Sequence, residues 1–183
     1  MITTSLQRLF ECGSWIHQTE SFEILMKLQS KDYLSIDDNP ITFEHILRNT
    51  SLAFAIDCAT SCPNYHTKWR SFSTWCCEDL KQYVTLPECL TSLTAAKNYI
   101  NGTESHERLK EIYEIAYSRH VVEPHKYDTH YYANRAACNA ANPDYHTSMY
   151  ECYCSQSLGL SFLGINDGEI EKRQKEQFLA VTS

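Results

Sequence analysis

The chain has 183 residues, 43% of them hydrophobic and 21% charged, enough for one domain, or two small lobes, with a buried interior. Five glycines and five prolines supply few turns, which argues against a many-stranded β fold and favours helices. The formal charge of −7 excludes a basic nucleic-acid grip, and no run of apolar residues approaches the length that spans a membrane.

Thr3 to Cys12 reads as a short helix stopped by Gly13, with Leu6, Leu9 and Phe10 on one face. The N-terminal stretch lacks a basic region followed by a long apolar run, so no export signal is expected. A cytoplasmic location follows as an expectation, with the nine cysteines mostly reduced and buried. Trp15-Ile16-His17 reads as a connector, Ser21 as the cap of a helix carrying Phe22, Leu25, Met26 and Leu28, and Asp32 to Pro40 as a loop. From Thr42, the spacing of Phe43, Ile46, Leu47, Thr50 and Phe54 predicts a helix running unbroken to Ser61.

The next helix is the most periodic segment: Tyr65, Trp69, Phe72, Cys76, Leu80 and Tyr83 recur at helical spacing and form one aromatic-rich stripe that must be buried. Pro87 suits a first helical turn, and Asn101-Gly102 suits a left-handed cap at the other end of that helix. A helix over 103–120 follows, with Leu109, Ile112, Tyr113, Ala116 and His120 on one face. A linker containing Pro124 comes next, then an alanine-rich helix capped by Asp128. Tyr145 to Leu163 and Glu169 to Val181 complete the series, the last of these polar and charged.

One motif occurs twice. Pro63-Asn64-Tyr65-His66-Thr67 matches Pro143-Asp144-Tyr145-His146-Thr147, and Cys58 aligns with Cys138 in the same register. Proline ends the preceding helix, and the Asn or Asp after it supplies an acceptor to cap the next. The motif therefore predicts a helix–corner–helix joint used twice. The expected architecture is an all-α bundle of about eight or nine helices. It reads as one helical domain over 1–183, with an N-terminal helical extension and two similar three-helix units at 43–100 and 128–181.

Chemistry could reside in three groups of residues. Cys58, Cys62, His66 and His146 are the candidate metal ligands, thiolate and imidazole being good ligands for zinc. Pro63 interrupts their helical spacing and paired Cys-x-x-Cys units are lacking, so neither metal nor other cofactor is expected. The Tyr65-His66 and Tyr145-His146 pairs are candidate binding or acid–base groups, a first-turn imidazole facing the positive end of its helix. Packing and capping of a joint is the better reading of the same residues, since a joint needs both. His125, His130, Tyr131 and Tyr132 make the linker and following helix a candidate docking segment. No Gly-rich phosphate loop, G-x-S-x-G, H-E-x-x-H or Glu-x-x-His signature occurs, and no catalytic residue is assigned.

Cys76, Pro87, Ala95, Ala96, Tyr99, Gly102 and Glu104, within the stretch Trp75 to Ala116, resemble the Imm-5-like immunity proteins, a family of alanine-rich helical chains. The likeness extends to the 133–141 helix and covers about half of the chain. The basic residues that flank the family's proline are missing here. The resemblance implies a compact helical protein that binds and neutralises a partner, and it carries over no catalytic residue. The expected function is a non-catalytic, acidic protein-binding module that inhibits or sequesters a macromolecular partner, with a basic protein surface as the complementary one. The alternatives are a helical hydrolase or metal-dependent enzyme using the Tyr-His pairs, and a structural subunit that assembles with further copies of itself.

Overall fold

A computed structural model describes residues 1–12, 38–122 and 126–183. The connector at Trp15, the Ser21 helix, Gly13, most of the Asp32–Pro40 loop, Pro124 and His125 lie outside the described residues. The fold is all-α: 76% of it is helical, with nine α-helices and one two-stranded sheet among the described residues. The chain divides into two compact units, Met1–Tyr65 with Thr182–Ser183, and His66–Val181.

In the first unit, strand β1 (Thr3–Thr4) pairs antiparallel with β2 (Ile41–Thr42), Thr3 opposite Thr42 and Thr4 opposite Ile41. Helix α1 therefore begins at Leu6 and runs to Cys12, shorter at its start than its periodicity predicts. Two β-branched residues suit a strand better than a first helical turn. Ser5 accepts a hydrogen bond from the Arg8 amide and donates one to Asp38, so it serves as the helix start. The predicted continuous helix from Thr42 is two helices, α2 (Phe43–Asn49) and α3 (Leu52–Cys58). Side-chain hydroxyls make the break. Thr50 donates to the Ile46 carbonyl at 2.8 Å, and Ser51 accepts from the Phe54 amide at 3.1 Å, which starts a new helix in place of the old one. The Ile2 amide donates to the Thr182 carbonyl at 2.6 Å, joining the two ends of the chain within this unit.

The second unit holds α4 (His66–Glu78), α5 (Pro87–Ile100), α6 (His106–Val122), α7 (Thr129–Asn139), α8 (Tyr145–Ser161) and α9 (Asp167–Thr182). Several sequence signals take their expected places. Pro87 opens α5, Gly102 follows it with φ 73°, and Asp128 caps α7 by accepting from the Tyr131 amide. Helix α7 lies at the centre, packed against α4, α5, α6 and α8. Its inward residues are small: Ala133, Ala136, Ala137 and Cys138 are fully buried, so four neighbours can approach one axis. Gly159 of α8 completes the close approach, because a Cβ there would lie 2.8 Å from Leu80 and 3.3 Å from Tyr132.

The α4 stripe is buried in its middle and open at its ends. Trp69, Phe72, Cys76 and Leu80 are fully buried, whereas Tyr65 is exposed and Tyr83 half-buried. The α-helix also stops at Glu78, with a 3-10 turn over Lys81–Tyr83. Phe178 of α9 stacks on Trp69 at 6.0 Å and meets Phe72 edge-on at 5.3 Å. The final helix, polar in overall sequence, thus buries Ile170, Gln174 and Phe178, four residues apart on one face.

The two copies of the corner motif differ. Asp144 caps α8, accepting from the His146 and Thr147 amides, while Asn64 lies inside a 3-10 turn over Pro63–Tyr65 that leads into α4. The division of the chain at Tyr65 and His66 runs through the stretch 43–100, so the first of the two expected repeats contributes to both compact units.

Candidate functional site

Among the described residues no three His, Cys, Asp or Glu side chains are grouped to hold an ion. The two cysteines of the candidate set are packed thiols. Cys58 is fully buried, and burial, reinforced by Asp57 and Cys62, pushes its thiol well up from the ordinary range. Burial also raises Cys62, whose Sγ donates to the Thr3 carbonyl at 3.4 Å. Protonated, packed thiols act as small hydrophobes.

The paired tyrosines and histidines occupy unlike settings. Tyr65 and His66 are exposed, and Tyr145 and His146 are half-buried in the first turn of α8. His66 Nδ1 lies 3.3 Å from the Tyr99 hydroxyl of α5, with the rings 5.8 Å apart. The Arg70 guanidinium sits over the other partner of this contact, 5.4 Å from the Tyr99 ring centre. Arg70 itself is buried and donates from Nη1 to the Ala140 carbonyl at 2.5 Å and from Nη2 to the Asn142 carbonyl at 2.7 Å. It therefore closes the end of α7 and belongs to the scaffold of the second corner. His130 is exposed at α7, its Nδ1 2.9 Å from the Tyr83 carbonyl.

Tyr131 and Tyr132 lead to the most developed site. A cleft of about 340 Å³ lies between α6, α7 and α8, walled by Tyr113, Tyr117 and His120 from α6, Tyr131 and Arg135 from α7, and Glu151 from α8. The helical period supplies each wall: residues three or four apart on α6, and four apart on α7, share a face. Tyr113 and Tyr117 rings lie 5.6 Å apart, and Tyr131 lies 5.0 Å from the buried His120 ring. Glu151 Oε2 accepts from Arg135 Nε at 2.7 Å and from Nη2 at 2.5 Å.

Titration properties follow from this arrangement. Partial burial, with Cys138, Tyr117 and Glu151 adding to it, pushes Tyr113 up to about 12, and burial also raises Tyr131. Burial opposes the charge on Arg135, but Glu151 outweighs it and holds the guanidinium above its ordinary value. Tyr113 and Tyr131 are thus neutral, and Arg135 charged, at physiological pH.

Beyond the cleft the aromatic contacts continue onto the surface. Tyr127 meets Tyr131 at 4.9 Å, Tyr131 meets Tyr132 at 5.1 Å, and Tyr132 stacks on Phe162 at 5.9 Å. Tyr127 is 64% exposed and Phe162 56%, with Tyr131 and Tyr132 half-buried between them, so the run meets solvent at its two ends beside the cleft.

Comparison with family models, curated proteins and solved structures finds no match. The site therefore rests on its own geometry. Sequence reasoning reached Tyr131 and Tyr132 but not Tyr117, Arg135 or Glu151, because those residues come from three helices whose faces only packing brings together. The sequence signal that bears on them is the i, i+4 pairing of Tyr113 with Tyr117 and of Tyr131 with Arg135. No helix among the described residues is long and apolar enough to cross a membrane.

Proposed function

We propose that this chain is a non-catalytic protein-binding module that inhibits or sequesters a macromolecular partner, in the manner of an immunity or anti-defence protein. The observation that carries the reading is the connected run Tyr127–Tyr131–Tyr132–Phe162 beside the α6–α8 cleft, exposed at Tyr127 and Phe162 and half-buried between them. Aromatic side chains bury much area for little entropy and dominate interface energetics, so exposed aromatic residues joined by ring contacts suit an interaction surface. The net charge of −7 favours a partner with a basic surface. Affinity purification from the native host tests this. A stoichiometric complex lost on Tyr127→Ser with Phe162→Ser, and weakened by salt, supports the proposal, and recovery of the lone chain refutes it. Sedimentation analysis of the purified chain separates this from assembly with further copies of itself.

The contact of His66 with Tyr99 favours a second reading, an enzyme using an imidazole–phenol pair as proton donor and acceptor. Loss of a measurable hydrolytic turnover on His66→Ala, with the fold intact, would establish it in place of the first.

A further inference from the structure

We propose that the α6–α8 cleft takes the guanidinium of an arginine side chain, as the anchor by which a partner protein is held; this rests on the protein-binding function proposed above. The first support is the wall chemistry. Tyr113, Tyr117 and Tyr131 present three phenol rings from two helices, the kind of surroundings in which a planar cation stacks. Burial keeps Tyr113 and Tyr131 protonated, so a cation meets them as neutral rings.

The second support is a carboxylate used at one oxygen only. Both contacts from Arg135 go to Glu151 Oε2, and Oε1 has no hydrogen bond among the described residues. An arginine fork can add to that carboxylate at Oε1. A purely anionic ligand would meet Glu151 and a chain of charge −7, with Arg135 already engaged.

Size and setting agree with a single side chain and not a large cofactor. At about 340 Å³ the cleft is at the lower end of the range of roughly 300–1,000 Å³ found for small-molecule sites. The exposed Tyr117 and Val121 line the cleft and would help exclude water around an inserted anchor.

Isothermal titration of the full chain with N-acetyl-arginine methylamide tests the assignment, with the lysine and glutamate analogues as comparisons. The arginine analogue is expected to bind, and the other two at least about fivefold more weakly. Glu151→Gln should weaken arginine binding about tenfold, whereas Arg135→Gln, which frees the carboxylate, should strengthen it. Since both variants break a contact between α7 and α8, Tyr117→Leu at the half-exposed rim gives an independent measure and should weaken binding without altering the circular dichroism spectrum. No arginine binding at millimolar concentration, preferred binding of the glutamate analogue, equal binding of lysine, stronger binding by Glu151→Gln or weaker binding by Arg135→Gln overturns the proposal. A captured partner complex that is indifferent to Glu151→Gln and Tyr117→Leu would also end the anchor assignment while leaving the protein-binding function standing. Arginine binding with no partner complex would do the reverse.

Discussion

Arg70 gives the sharpest test of how the bundle is held. Its guanidinium is 2% exposed and donates to the carbonyls of Ala140 and Asn142, at the C-terminal end of α7, where a helix has acceptors without internal partners. Arg70→Met keeps most of the volume and removes both donors. Each charge-assisted hydrogen bond contributes about 1.5–3 kcal/mol, and each buried carbonyl left alone costs about 1–3 kcal/mol. Two effects reduce the sum: Ser148 Oγ still donates to Ala140 at 3.4 Å, and the desolvation cost of burying Arg70 disappears with it. The net expectation is a loss of about 2–4 kcal/mol, a large part of the roughly 5–15 kcal/mol by which a domain is stable. In urea, with a slope of about 1–3 kcal/mol per molar, the midpoint should fall by about 1–2 M. Arg70→Lys retains the charge but not the fork, so it should lie between Met and the parent. A midpoint for Arg70→Met within about 0.3 M of the parent, at unchanged slope, would refute this account of the second corner.

The thiols should divide by burial: with seven of nine cysteines buried, iodoacetamide at neutral pH should modify Cys12 first and Cys154 more slowly, as read by mass spectrometry of the native chain. Rapid labelling of Cys77 or Cys152, whose sulfurs lie 3.8 Å apart between α4 and α8, would contradict the packing. At alkaline pH, Tyr113 retains its proton to about 12 in the folded chain but loses it near 10 when unfolded. The folded state then binds more protons, so stability should fall as pH rises from about 10 to 12, and Tyr113→Phe should flatten that slope in a denaturation series. Gly159→Ala should destabilise by about 1–3 kcal/mol through contact with Leu80 and Tyr132, despite a better helix propensity, and a thermal midpoint above that of the parent would show that the close approach can relax.

By itself the sequence determined the helical class and many of its boundaries, because these depend on neighbours within one turn. The spacing of Trp69, Phe72, Cys76 and Leu80 marked a buried face, and all four are buried. Pro87, Gly102, Asp128 and Asp144 sit at helix ends for reasons of backbone geometry and local hydrogen bonding that need no tertiary context. Where local preferences compete, the outcome depended on more distant partners. Thr3 and Thr4 join a strand because Ile41 and Thr42 lie opposite them, and the near-identical Asn64 and Asp144 take different places. The cleft was decided by tertiary structure alone. Arg135 and Glu151 are 16 residues apart and on different helices, so their pairing exists only once alanine-lined α7 has let α8 come close. Arg70 and Asn142 are more distant still, and the energy that links them is set by burial, which no spacing of residues along a chain can specify.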